Sequence, residues 1–84
     1  MIIFKETKYL TFATEEIKGR KTKIVHVINK SNTNRLATIE WYGNWRQYCF
    51  LPNPEFQTVW NKDCLNDVNS IIIKLMEERK NAKI

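Results

Sequence analysis

The first two thirds of the chain consist of short segments rich in β-branched and aromatic residues, separated by polar residues, a pattern typical of β-strands. Five segments show it: residues 2–4, 9–13, 23–29, 35–42 and 45–51. Residues 14–17 either continue the second strand or form one helical turn, and residues 58–60 could add a short edge strand. The basic segment 18–21 predicts a turn in which Gly19 adopts a left-handed backbone conformation.

The fourth and fifth strands flank Gly43-Asn44, which predicts a β-hairpin with a two-residue turn because both residues tolerate positive φ. Residues 52–54 contain two prolines and predict the end of the hairpin, since proline cannot donate to a ladder. With this turn, one face carries Ala37, Ile39, Trp41, Arg46, Tyr48 and Phe50. The other face carries Leu36, Thr38, Glu40, Tyr42, Trp45, Gln47, Cys49 and Leu51. We expect the first face to receive a helix, with Arg46 stacked on Trp41 at its rim.

After residue 60 the hydrophobic period changes from two to 3.6, which predicts an amphipathic helix over residues 62–80. Its apolar face carries Cys64, Leu65, Val68, Ile71, Ile72, Leu75 and Met76. Asn61 or Asp63 can cap the start of this helix. We therefore predict an α+β fold, a small antiparallel sheet of three to five strands with one C-terminal helix packed across one face. The chain forms a single domain: N-terminal strands in 1–17, the sheet in 22–60 and the helix in 62–80.

The strand at residues 23–29 carries apolar side chains on both sides: Ile24, Val25, Val27 and Ile28. A strand of this kind is buried on both faces. One helix covers only one face, so the other face, which we expect to carry Val25, Val27, Tyr42 and Trp45, needs a cover. The N-terminal segment, a second copy of the chain or a partner could supply it. A register slip of one residue would exchange the two valines for the two isoleucines.

Composition predicts a small cytoplasmic protein. The 84 residues are 43% hydrophobic and include three Trp, three Tyr and four Phe, enough for one modest core. No run of about 18 apolar residues predicts a membrane span. The N-terminus lacks the basic lead and long apolar stretch of a signal peptide. Two cysteines without a dense framework predict reduced thiols.

The net charge of +5 is concentrated in the first part of the chain. Residues 1–35 contain eight Lys or Arg and three Glu, whereas residues 36–84 contain six basic and six acidic residues. The candidate anion or nucleic-acid contacts are Lys18, Arg20, Lys21, Lys23, Lys30 and Arg35. They form two clusters at opposite ends of the strand 23–29, about 20–25 Å apart. These residues either contact an anionic partner or serve as solubilising turn residues.

The sequence contains no catalytic, cofactor or metal motif. His26, Cys49 and Cys64 are the candidate soft metal ligands, and they are scattered rather than paired as a zinc site requires. The two glycines, Gly19 and Gly43, cannot form a phosphate-cradling loop. We therefore expect neither enzyme activity nor a cofactor nor a bound metal.

The segment Trp41-Tyr42-x-x-Trp45-Arg46-x-Tyr48-Cys49-Phe50-x-Pro52 is followed by Val59-x-Asn61 and Cys64-Leu65-x-Asp67-Val68. This arrangement resembles a family of short hypothetical proteins of bacterial, phage and prophage genomes. The resemblance spans residues 35–78 and leaves the N-terminal third outside. It implies a bacterial setting and a phage or prophage origin, with a host component as the target by analogy. It supplies no activity and no functional residue.

These observations predict a small non-enzymatic binding module, a protein-interaction or self-associating domain. The candidate partner contacts on the mixed face of the hairpin are Glu40, Tyr42, Trp45 and Gln47. The alternative is a nucleic-acid-binding domain, in which the turns 18–23 and 30–35 contact phosphates and the aromatic face stacks bases.

Overall fold

The computed structural model describes residues 2–16, 18–19 and 21–82. It contains the strands β1 (Ile2–Glu6), β2 (Leu10–Glu16), β3 (Lys23–Asn29), β4 (Arg35–Tyr42) and β5 (Gln47–Pro52), followed by the helix α1 (Lys62–Ala82). The strands form one antiparallel sheet in the order β1-β2-β3-β4-β5, so that every strand pairs with its neighbours in the chain. The helix packs across one face of this sheet. The predicted α+β architecture is confirmed, with five strands.

Most predicted elements lie where the sequence placed them. The bounds of β3 and β4 match the prediction, and residues 14–16 continue β2 rather than forming a helical turn, while Ile17 lies outside the described residues. Gly19 has the predicted left-handed conformation, with φ of 89°. The predicted edge strand at 58–60 is wrong. That segment crosses to the helix side of the sheet, where the Trp60 ring packs edge-on against Phe50 at 4.9 Å.

The turn between β4 and β5 is longer than predicted. Residues 43–46 form a four-residue loop, in which the Trp45 amide donates to the Tyr42 carbonyl at 3.2 Å. The positive φ falls on Arg46, at 53°, instead of on Gly43. A loop of this length brings Trp41 opposite Tyr48, and their rings pack edge-on at 5.5 Å. The predicted pairing of Trp41 with Arg46 is therefore wrong, because the apolar ring pair replaces it.

The change of turn shifts each cross-strand pair by two residues and leaves the faces unchanged. Ile39, for example, pairs with Phe50 instead of Tyr48. Because successive side chains alternate between faces, an even shift preserves the face of every residue. One assignment does change: Leu36 packs against the core, next to an irregularity in the pairing of β3 with β4.

The core lies between the sheet and α1. Its buried residues are Leu10, Phe12, Val25, Val27, Ala37, Ile39, Tyr48, Val68, Ile71 and Leu75. Val25 pairs with Ile39 and Val27 pairs with Ala37, so both valines point toward the helix. The expectation that these valines lie on the uncovered face is wrong. Ile24, His26 and Ile28 take that face instead.

The helix begins at the cap that the sequence offered as one of two choices. The Cys64 amide donates to Asn61 Oδ1 at 2.8 Å, which identifies Asn61 as the N-cap residue. Most inward positions alternate by three and four residues as predicted, but the placement of Leu65 on the apolar face is wrong, because this residue is 48% exposed. In the part of the chain that the structure describes, no helix has the length and apolar character needed to cross a membrane.

Candidate functional site

The face of the sheet opposite α1, here called the open face, is the first candidate surface. Its side chains include those of Ile3, Glu6, Thr11, Ala13, Glu15, Ile24, His26, Ile28, Arg35, Thr38, Glu40, Tyr42, Gln47, Cys49 and Leu51. No helix or strand among residues 2–16, 18–19 and 21–82 packs on this face. The N-terminal segment cannot cover it, because β1 and β2 are themselves part of the sheet.

The open face has a polar centre and an apolar border. His26 is buried at the centre, where its Nε2 donates to a Glu15 carboxylate oxygen at 2.7 Å. Toward the border, Ile3 is 59% exposed and Leu51 is 41% exposed. Large apolar side chains that stay exposed on a sheet face can contact another macromolecule.

The four predicted partner contacts meet at the hairpin end of the open face. Tyr42 pairs with Gln47, and Glu40 lies one position further along the same face of β4. Trp45 lies in the loop rather than in β5, but its ring packs edge-on against Tyr42 at 5.1 Å. The Asn44 amide donates to the Tyr42 hydroxyl at 3.0 Å. Tyr42 thus contacts both Trp45 and Asn44, while Trp45 stays 67% exposed.

The open face is acidic although the chain carries a net charge of +5. Glu15 and Glu40 lie within the strands on this face, and Glu40 accepts a hydrogen bond from the Thr38 hydroxyl at 2.8 Å. The lysines of β1 and β3 point to the other side, where Lys5 donates to Ser70 and Lys23 donates to Glu78, both on α1. Among the described strands, Arg35 is the cation on the open face, at the start of β4 and opposite Ile28. Carboxylates in this position repel phosphate groups, so the open face is poorly suited to nucleic acid.

The six predicted anion contacts do not form one surface: Lys21 and Lys23 line one groove, whereas Lys30 and Arg35 lie at the other end of β3. The six are Lys18, Arg20, Lys21, Lys23, Lys30 and Arg35, of which Arg20 lies outside the described residues. Lys23 pairs with Glu78 at 3.4 Å, and Lys30 pairs with Glu6 at 3.4 Å. The seven residues of β3 separate the two clusters by about 20 Å, close to the predicted spacing.

A different basic surface lies where the hairpin loop meets the C-terminal part of α1. The guanidinium carbon of Arg79 lies 4.1 Å from the centroid of the Trp41 ring, the place that the sequence assigned to Arg46. A groove of about 340 Å³ opens beside this stack, here called the stacked groove. Its lining residues are Trp41, Arg46, Met76, Glu77, Arg79 and Lys80.

A second groove, here called the lysine groove, adjoins the first and shares Arg79 with it. It has a volume of about 300 Å³ and is lined by Lys21, Lys23, Tyr48, Leu75, Glu78 and Arg79. Sequence reasoning missed this surface, because it assigned no contact to Arg79 or Lys80. A signal was present: Arg79 follows the inward-facing Leu75 by four residues, which places it on the sheet side of the helix.

The candidate metal ligands lie apart. His26 and Cys49 are on the open face, whereas Cys64 packs against the core on the helix side. Among residues 2–16, 18–19 and 21–82, no three His, Cys, Asp or Glu side chains converge in a way that could hold a metal ion. Both cysteines are free thiols.

Comparison with known proteins connects the chain to a phage. It is 40% identical over 76 residues to the uncharacterised 9.3 kDa protein of Acholeplasma phage L2, a match that covers 90% of this chain and 95% of the phage protein. The similarity extends beyond residues 35–78 into the N-terminal third, which we expected to lie outside the resemblance. No family model and no solved structure matches the chain. With this identity over most of both sequences, the chain belongs to the family of the 9.3 kDa protein of Acholeplasma phage L2.

Proposed function

We propose that this protein is a non-enzymatic binding module whose open face docks a protein partner. The observation that carries the proposal is the uncovered face of a five-stranded sheet, bordered by exposed apolar side chains and by the packed Tyr42–Trp45 pair. Tyrosine and tryptophan are enriched among the residues that dominate binding energy at protein interfaces. The relative in a phage supports the further proposal that the partner is a component of the host cell.

The size of the open face fits one protein partner. Five strands spaced about 4.8 Å apart and about 20 Å long give a projected area of roughly 500 Å². Side-chain relief raises the accessible area toward the roughly 800 Å² that one partner contributes to a standard interface. The apolar border supplies area, and the Tyr42–Trp45 pair supplies an aromatic contact at one end.

The charge of the open face favours a basic partner. Glu15 and Glu40 face outward there without a Lys or Arg beside them on the described strands. A partner that presents Lys or Arg between apolar side chains would neutralise these carboxylates. A second copy of this chain is less suitable, because two open faces stacked on each other would bring carboxylates toward carboxylates.

Two matched substitutions test this assignment. Leu51→Asp places a charge on the open face, and Ile73→Asp makes the same kind of change on the outer side of α1, where Ile73 is 51% exposed. Both proteins should keep a melting temperature close to that of the wild type, because both positions are on the surface. The tagged proteins are incubated with host lysate, captured proteins are identified by mass spectrometry, and the candidate is purified for titration calorimetry.

We expect one basic protein to bind the wild type and Ile73→Asp, and to bind Leu51→Asp at least tenfold more weakly, which corresponds to a loss of about 1.4 kcal/mol. Glu40→Gln should weaken binding and reduce its dependence on salt. Equal binding by Leu51→Asp and Ile73→Asp would refute the assignment. Light scattering measures whether the protein is a monomer or a dimer. If the wild type is a dimer and Leu51→Asp is a monomer, the open face binds a second copy of the chain and the proposed basic partner is wrong.

A further inference from the structure

We infer that the stacked groove and the lysine groove together form a second binding site, which accepts the phosphate backbone of a single-stranded nucleic acid. This site lies on the helix side of the sheet, at the end where the hairpin loop meets α1. It shares no residue with the open face. The inference is therefore independent of the protein-binding proposal.

Charge is the first argument. Five cationic side chains line the two grooves: Lys21, Lys23, Arg46, Arg79 and Lys80. Two carboxylates, Glu77 and Glu78, accompany them, which leaves an excess of three positive charges. Only Lys21 and Lys23 come from the basic first part of the sequence, so folding has brought the other three cations to join them. The C-terminal end of a helix contributes about −0.5 charge, which this excess outweighs.

The second argument is the flat surface at the centre of the site. Arg79 stacks on Trp41 at 4.1 Å, and Arg79 forms the boundary between the two grooves. Arg79 Nε is buried without a hydrogen-bond partner among the described residues. Aromatic rings and stacked guanidinium planes are the surfaces on which proteins stack unpaired bases, and the adjacent guanidinium edges bind phosphate.

The third argument is the backbone of Arg46. Its φ of 53° lies in the left-handed region, where glycine or asparagine is favoured and other residues cost about 1–2 kcal/mol. Arginine at this position therefore destabilises the loop relative to glycine. Its side chain lines the stacked groove, which gives the residue a role there. Strained residues of this kind cluster at ligand sites.

The dimensions favour a single strand over a duplex. The two grooves have volumes of about 340 Å³ and 300 Å³, close to the lower limit for small-molecule sites. Neighbouring grooves of this size can each take one unpaired nucleotide. A duplex would need a longer basic surface, but Lys30 and Arg35 lie about 20 Å from Lys21 and Lys23, at the other end of β3.

The test measures fluorescence anisotropy of a labelled oligothymidylate of about 12 nucleotides, a length within the usual site size of one small domain. Binding to the wild type should weaken by roughly 50-fold between about 50 mM and about 200 mM salt if about four phosphate contacts form. Arg46→Gly removes one cation and also relieves the left-handed backbone, so it should weaken binding several-fold while the melting temperature stays equal or rises.

Lys62→Gln is the matched control, because it removes the same charge at the start of α1, at the far end of the helix. We expect it to bind like the wild type. Three results would overturn the inference: no binding at about 50 mM salt, equal losses for Arg46→Gly and Lys62→Gln, or equal displacement by polyglutamate and by unlabelled oligothymidylate. Tighter binding of a duplex of the same length would overturn the choice of a single strand. If no protein partner binds the open face, the expected results of this nucleic-acid test stay the same.

Discussion

Replacing Trp41 by alanine tests which face of the hairpin points inward. Trp41 lies on the helix side, packs edge-on against Tyr48 and carries the Arg79 guanidinium on its ring. Trp45 lies only four positions away but is 67% exposed in the loop, where it contacts Tyr42. The substitutions Trp41→Ala and Trp45→Ala remove the same atoms from two very different environments.

The magnitude follows from the burial of each ring. A buried tryptophan removes about 150–250 Å² from water, which at about 25 cal/mol per Å² stabilises the fold by roughly 4–6 kcal/mol. Trp41 is partly buried, so we expect about 3 kcal/mol from area, and the lost ring and guanidinium contacts raise the total to about 3–5 kcal/mol. Trp45→Ala should cost less than about 1 kcal/mol.

Urea unfolding followed by far-ultraviolet circular dichroism measures both values without relying on tryptophan fluorescence. A chain of this size has a total stability of about 4–13 kcal/mol, so Trp41→Ala should unfold at much lower urea or be largely unfolded in buffer. In a thermal scan its melting temperature should fall by roughly 15–30 °C, whereas Trp45→Ala should stay within a few degrees of the wild type. Equal stability of the two variants would refute the placement of Trp41 on the inner face.

Two further predictions concern the helix. Asn61→Ala removes the side chain that accepts a hydrogen bond from the Cys64 amide, so it should lower the free energy of unfolding by about 0.5–2 kcal/mol. An unchanged urea midpoint would show that Asn61 is not the cap. Ile71→Ala should cost about 2–5 kcal/mol because Ile71 is buried against the sheet, whereas Ile73→Ala should cost less than about 0.5 kcal/mol. Similar losses for the two isoleucine variants, measured by thermal unfolding, would contradict the orientation of α1.

The elements whose signal is local could be predicted from the sequence. Strands β3 and β4 and the start of α1 were predicted at their observed positions because each is a continuous periodic run bounded by polar residues or a cap. The faces of the hairpin were also predicted correctly for most residues. This success depends on alternation along each strand rather than on the geometry of the turn.

The hairpin turn could not be predicted from Gly43 and Asn44 alone. Their local preference favours a two-residue turn, but the packing of Trp41 against Tyr48 lengthens the loop and moves the positive φ to Arg46. A conformational preference of about 1 kcal/mol is easily exceeded by a well-packed pair of aromatic rings. Tertiary contacts therefore decided a feature that looked local.

The register of β3 depended on neighbours that the sequence does not place. Apolar residues flank His26 on both sides, so both registers gave the strand a hydrophobic face. Pairing with β4 fixes the register of β3. Ala37 and Ile39 point inward, so their cross-strand partners Val27 and Val25 point inward as well. The basic grooves could not be predicted either, because Lys21 and Arg79 come together only when the helix packs across the sheet.

The order of the strands has a consequence for synthesis of the chain. Because neighbouring strands in the sheet are consecutive in sequence, each strand can pair with the preceding one as it emerges from the ribosome. The helix that shields Phe12, Val25 and Ile39 is translated after all five strands. We therefore expect the inner face of the nascent sheet to stay exposed until α1 has been translated, an interval in which exposed apolar surface favours chaperone binding and aggregation.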